Sequence, residues 1–160
     1  MGERALIAVV SDSHGNFDAL YQMMQIIPRP DAVLFLGDGY NDFEDLQSVF
    51  PEIPMMGVPG NCDPDYTEKE VKVFEIAGKR ILMVHGHAHF VKITMGPLCK
   101  AAEEAKAQIA LYGHTHNPVV FREPDGIWMM NPGSINRGKY GLLTIDGDTV
   151  DAVLCELPQK

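Results

Sequence analysis

The chain has 160 residues and a mass of 17.7 kDa, the size of one domain, and a chain of this length buries roughly 70% of its unfolded surface without needing staples. Apolar residues make up 46% and charged residues 22%, which excludes a disordered or collagen-like chain. Lys plus Arg number 13 against 22 for Asp plus Glu, a net charge of -9, so neither long nucleic acid nor an anionic membrane is an expected partner, because both need clustered cations.

Arg4 to Val10 is a short apolar run that reads as a buried strand. It is too short for a membrane span or a signal-peptide core, and Leu6 stands where a myristoylation signal needs Ser or Thr. After the polar stretch Ser11 to Asn16, apolar residues at Phe17, Leu20, Met23, Met24 and Ile27 mark a helix that Asn16 can cap and Pro28 stops. A strand from Ala32 to Leu36, a short acidic helix from about Asp42 to Val49 and a strand from Ile53 to Val58 follow. Strand, helix, strand, helix, strand implies parallel pairing.

Beyond Pro59 the pattern turns to hairpins: Val71–Ile76 with Arg80–Val84, Val119–Arg122 with Ile127–Met130, and Leu142–Ile145 with Thr149–Leu154. Pro97 to Gln108 reads as a helix and Ile109 to Tyr112 as a strand. With no repeat and no linker, the expectation is one domain over 1–160, an α/β sandwich of two mixed sheets with helices outside. Cys62, Cys99 and Cys155 are odd in number and dispersed, which points to a reducing, cytoplasmic location and not to a disulfide framework.

All six histidines fall in three windows, Asp12-Ser13-His14, His85 to His89, and His114-Thr115-His116, each directly after a strand-like run. Asp38 and Asn61 occupy glycine turns in the same kind of place. Taken singly, each is as readily a capping or turn residue. Taken together, Asp12, His14, Asp38, Asn61, His85, His114 and His116 are seven oxygen and imidazole donors on loops that parallel strands can bring to one edge. That set suits Mn²⁺, Fe, Ni²⁺ or Zn²⁺ and exceeds what one ion needs, so the residues point to a two-metal hydrolase acting at phosphorus. The corresponding mechanism is attack by a hydroxide shared between the two ions, opposite the leaving ester oxygen.

In order and spacing, Asp12-x-His14, Gly37-Asp38, Gly60-Asn61-Cys62-Asp63, His85-Gly86-His87, Gly113-His114-x-His116 and Asn131-Pro132-Gly133-Ser134 resemble the calcineurin-like metallophosphoesterases. Among them, the chain is similar to the small YfcE-like phosphodiesterases. The resemblance implies a four-layer α/β/β/α fold. It also implies one ion on Asp12, His14 and His116, a second on Asn61, His85 and His114, and Asp38 bridging the pair. Manganese is the first expectation, with nickel, iron or zinc as alternatives, and the implied substrate is a small phosphodiester. Asp38, Asn61 and His87 are the residues placed at the reacting centre.

Many relatives carry a His after the Asn as proton donor, whereas this chain has Cys62. Esters whose leaving oxygen needs no proton are therefore favoured, or His87, Asp63 or a metal-bound water substitutes. His89 reads as an exposed loop imidazole. Two other readings stand beside the diesterase: a non-catalytic scaffold resembling the retromer small subunit, and a phosphomonoesterase. A homo-oligomer is compatible with the sequence.

Overall fold

Buried apolar runs that alternate with amphipathic helices build the first sheet from the amino-terminal third of the chain. The computed structural model describes residues 4–64, 66–67 and 69–158. Strands β1 (Arg4–Val10), β2 (Ala32–Phe35) and β3 (Met55–Gly57) pair in parallel, with Ile7 opposite Ala32 and Val33 opposite Met55. Helices α1 (Phe17–Ile26) and α2 (Tyr40–Val49) are the crossovers between them. The carboxy-terminal hairpin β9 (Lys139–Asp146) and β10 (Thr149–Glu156) completes this sheet, in the order β10-β9-β1-β2-β3.

The second sheet takes strands β4 (Val71–Ile76), β5 (Lys79–Val84), β6 (Ile109–Leu111), β7 (Val119–Arg122) and β8 (Trp128–Asn131), in the order β4-β5-β6-β8-β7. β5, β6 and β8 run parallel, while β4 and β7 are antiparallel edges. Helix α3 (Gly96–Glu104) links β5 to β6.

Successive residues of a strand face opposite ways, so β1 divides its side chains between two cores. Ile7 and Val9 join Leu34, Ile81, Met83 and Leu111 between the sheets. Ala8 and Val10 join Leu20, Met23, Phe43 and Leu46 under α1 and α2. A third cluster, with Leu82, Val84 and Ala110, lies under Leu98 and Ala102 of α3. Helices, sheet, sheet and helix make the expected four layers. Burial on both faces explains why the parallel strands read as unbroken apolar runs. Among the described residues, no helix is long and apolar enough to cross a membrane.

Two predicted boundaries move for local reasons. α3 stops at Glu104 and not at Gln108, because Lys106 takes a left-handed conformation (φ 56°) and turns the chain into β6. α2 starts at Tyr40, so Asp42 is inside its first turn, buried, accepting hydrogen bonds from Ser13 Oγ (2.6 Å) and Gly15 N (2.8 Å).

Candidate metal centre

The carboxyl ends of β1, β2, β3, β5, β6 and β8 open into six turns, and hydrogen bonds sew these turns to one another. Asp12 N donates to Gly37 O (2.8 Å) and His14 N to Asp38 O (3.0 Å), joining the first two turns within one sheet. His85 Nδ1 lies 2.6 Å from Leu36 O and Ile135 N donates to Ser11 O (3.0 Å), joining the two sheets. Five of the eight non-glycine residues with positive φ among the described residues are Asp12, His14, Asp38, His114 and His116. Such backbone strain persists where surrounding structure enforces it, and it gathers at functional sites.

These turns bring six of the seven predicted donors into two groups. In the first, His116 Nε2 and His14 Nε2 lie 3.1 and 3.4 Å from Asp12 Oδ1 and 3.3 Å from each other. In the second, His85 Nε2 lies 3.2 Å from both Asp38 Oδ2 and His114 Nδ1. His14 Nε2, 3.8 Å from Asp38 Oδ2, connects the groups. Donors bound to one divalent ion at about 2.0–2.2 Å are separated by about 3.0–3.5 Å from each other. The observed spacings match that geometry, so each group is chemically suited to a cation. Nδ1 of His85, held against the Leu36 carbonyl, commits the neutral tautomer whose Nε2 lone pair faces Asp38 and His114 and is free to meet a cation. Asn61 is placed differently: it is exposed on the neighbouring turn, and its side-chain hydrogen bond runs to Cys62 Sγ at 3.7 Å.

Burial by itself raises the pKa of Asp38, but the His85 hydrogen bond and charge, the Cys62 N–H and the His14 charge outweigh it and hold the carboxyl well below the usual range. Burial disfavours His85 protonation, yet its bond to Asp38, the charges of Asp12 and Asp38 and the Leu36 carbonyl raise it above its usual range. His114 is lowered, first by burial and then by the charges of His85 and Lys92. In chelator-stripped protein, His85 therefore holds the proton beside Asp38 and His114.

A raised folded-state pKa contributes stability below the unfolded value of about 6.5, and that contribution is lost as pH rises through the folded value. An ion held by His85 would need it neutral and so would displace its proton. Apparent affinity of the stripped protein for Mn²⁺ is thus expected to rise with pH, by up to about tenfold per unit from this proton, until His85 is deprotonated at a pH above its ordinary value. Calorimetric titration in buffers of different ionisation enthalpy reads the released proton. Affinity independent of pH would contradict the placement of that proton.

Asp63 holds the centre from behind. Its Oδ2 accepts from Asp38 N (2.7 Å) and Gly60 N (2.9 Å), and its Oδ1 from Gly39 N (3.0 Å) and Tyr40 N (3.1 Å). Gly37 has φ +103°, and a Cβ there would sit 2.6 Å from Gly60 N and 2.7 Å from His85 Nδ1, so only glycine allows these turns to close. Ser134 Oγ donates to Asp12 O (2.7 Å), and Asn131 Nδ2 to Thr115 Oγ1 (2.8 Å) between the two C-terminal histidines. Sequence reasoning assigned no role to Asn131, Ser134, Ser13 or Asp42. The available signal was a polar turn after the β8 run, the same one that marked the other five.

His87 stands on a 3₁₀ turn (His87–His89) with its ring 5.5 Å from that of His85 and 6.2 Å from that of His114. Its Nε2 is 3.7 Å from Glu70 Oε1, and its Nδ1 is buried without a hydrogen-bond partner among the described residues. His89 is half-buried, not exposed as expected, because the turn folds back on Gly86 through the His89 and Val91 amides.

The family model described as the calcineurin-like phosphoesterase superfamily domain matches residues 6–148. A probable metallophosphoesterase of Bacillus subtilis, YsnB, is 32% identical over 151 residues, covering 89% of this chain and 85% of that protein. A conserved Streptococcus pneumoniae protein described as a predicted phosphoesterase superposes with a TM-score of 0.80 at 27% identity, covering 98% of this chain and 91% of its own. Vacuolar protein sorting 29 of Cryptosporidium parvum shares the fold at 18% identity, with a TM-score of 0.74 over 98% and 99% of the two chains.

Proposed function

This chain belongs to the calcineurin-like phosphoesterase superfamily, and from that premise we propose that it hydrolyses a small phosphodiester at a centre of two divalent ions, with manganese first among the candidates. The observation that carries this reading is the pair of donor groups, Asp12 with His14 and His116, and Asp38 with His85 and His114. Asp38 lies within reach of both His85 and His14, which supports it as the bridging ligand. Asn61 joins the second group in this reading by giving up the bond from its Nδ2 to Cys62 Sγ and turning its amide oxygen toward His85 and His114. Bound ions would supply Lewis acidity, an activated water and charge neutralisation of the phosphate oxygens, which lets a chain of net charge -9 accept an anionic substrate.

The chain's own groups narrow the substrate. Cys62 N donates to Asp38 Oδ1 (2.8 Å), and the exposed thiol is raised by burial and then by the Asp38 charge. A thiol so disposed is a poor proton donor at neutral pH. Asp63 is no substitute, since both its oxygens are taken up by four backbone N–H groups. His87 is the remaining imidazole beside the second donor group, and in this reading it meets the leaving oxygen. Diesters with good leaving groups are accordingly the preferred class.

The test is hydrolysis of a bis-aryl phosphate diester beside the matching monoester, by stripped protein refilled with Mn²⁺, Ni²⁺ or Zn²⁺. Ion-restored diester turnover is expected to exceed monoester turnover by about tenfold or more, about 1.4 kcal/mol in barrier. Monoester preference would overturn the argument from Cys62. A folded, ion-binding protein that turns over neither ester would instead match the scaffold reading, with Val119, Val120 or Leu142 as partner contacts.

A further inference from the structure

Cys62 belongs to neither donor group assigned above, yet the fold sets it beside both. The turn Gly60-Asn61-Cys62-Asp63 is anchored at its end by the Asp63 carboxylate, which accepts from Gly60 N and Asp38 N. At Cys62 it is anchored by the residue's own N–H, which donates to Asp38 Oδ1 (2.8 Å). That bond holds Cys62 against the carboxylate that lies within reach of both His85 and His14. The sulfur of Cys62, a carboxylate oxygen of Asp38 and a ring nitrogen of His14 consequently fall within 4.8 Å of one another, a third donor group. On one ion, a sulfur bound at about 2.3 Å and a nitrogen or oxygen at about 2.1 Å stand about 3.6 Å apart. Cys62 and His14 are both exposed, so neither has to leave a packed core to close that gap.

This group differs from the other two in kind. Those offer oxygen and nitrogen alone, a set that serves a hard ion such as Mn²⁺, whereas a thiolate selects softer ions, Zn²⁺ and Cd²⁺ among them. The other cysteines lack such company. Cys99 Sγ donates to Glu123 Oε1 (3.3 Å) and Cys155 Sγ to Val153 O (3.8 Å), and neither is part of a group of three donors among the described residues.

We propose that Cys62, Asp38 and His14 form a thiophilic ion site, which takes Zn²⁺ or Cd²⁺ through the sulfur and passes over Mn²⁺. The inference rests on reading Asp38 and His14 as ligands; it does not require that the chain hydrolyse a diester. Binding breaks the S–H bond: the proton goes to the buffer, the electron pair stays on sulfur and is shared with the ion, and no atom changes oxidation state. Since Asp38 and His14 also serve the other two groups, an ion taken in this way competes with Mn²⁺ for them.

Ultraviolet absorption and equilibrium dialysis of the stripped full chain, with Cd²⁺ or Mn²⁺ as the probe, test the proposal. The wild type is expected to show a saturable sulfur-to-cadmium charge-transfer band. Cys62→Ser keeps the backbone N–H and the size of the side chain; it is expected to lose the band and about tenfold or more of Cd²⁺ affinity, about 1.4 kcal/mol, while Mn²⁺ affinity moves by less than about threefold. His14→Ala should weaken Cd²⁺ binding by about tenfold as well, whereas Cys99→Ser and Cys155→Ser should keep both band and affinity. Circular dichroism verifies the fold of each variant. A band that survives Cys62→Ser would overturn the proposal, and so would Cd²⁺ affinity indifferent to His14→Ala, which would make Cys62 a surface thiol acting alone. Both ions bound without a band would overturn this inference and leave the proposed centre standing. A wild type that retains neither ion would overturn both.

Discussion

Asp38→Ala is expected to lower ion-restored diester turnover by about 10³-fold or more, about 4 kcal/mol of barrier. The carboxylate lies 3.2 Å from His85 Nε2 and 3.8 Å from His14 Nε2, so under the proposed bridging role its loss would remove a ligand from both ions at once. Bound ion per chain should fall in parallel, measured by elemental analysis after dialysis. The fold should survive, because the substitution deletes a charge whose partners are mainly the imidazoles of the centre and the Cys62 amide. Turnover that persisted in the variant with full ion content would rule out Asp38 as the shared ligand.

Asp63→Asn should fail differently. The carboxylate is buried and accepts four backbone N–H groups from two turns. An amide keeps one acceptor oxygen and turns an NH₂ group toward two of those donors, leaving them unpaired at about 1–3 kcal/mol each. A loss of roughly 3–5 kcal/mol and a fall in melting temperature of about 10 °C are expected. Calorimetry with and without saturating Mn²⁺ separates this from a ligand effect: the loaded protein should regain part of the loss, since an ion that binds only the folded chain stabilises it by mass action. An unchanged melting temperature would mean that water takes over the role of the carboxylate. The two variants therefore divide residues that would touch the reaction from those that hold its frame.

Most of the layer order was legible because β1, β2, β5 and β6 are buried on both faces and read as unbroken apolar runs. Helix ends were less so. Nothing in the composition of Ala105-Lys106-Ala107 announces a left-handed residue, and only packing of the chain toward β6 imposes it. At the carboxyl ends of the strands, residue type and position were enough to single out Asp12, His14, Asp38, His85, His114 and His116, which the fold brings together, because metal chemistry restricts the choice to a few side chains. Asp63 was legible as part of the Gly60-Asn61-Cys62-Asp63 turn and as a candidate proton donor, not as a brace. That it serves four amides is a fact about three-dimensional closure, which adjacent residues cannot encode. Ser134 was legible as the end of the Asn131-Pro132-Gly133-Ser134 turn, but its bond to Asp12, 122 positions away, was hidden for the same reason.

This spread along the chain sets the order of events during synthesis. Asp12 meets His116 across 104 residues, and His85 meets His114 across 29. Closing such long loops is slow and entropically unfavourable until both sheets exist. A nascent chain ending before β6 lacks His114 and His116, one member of each donor group, and Ser134, which donates to Asp12 O, follows later still. An ion held by both groups would therefore report on the whole span from β1 to β6: a chain in which either sheet fails to form does not bring these donors together.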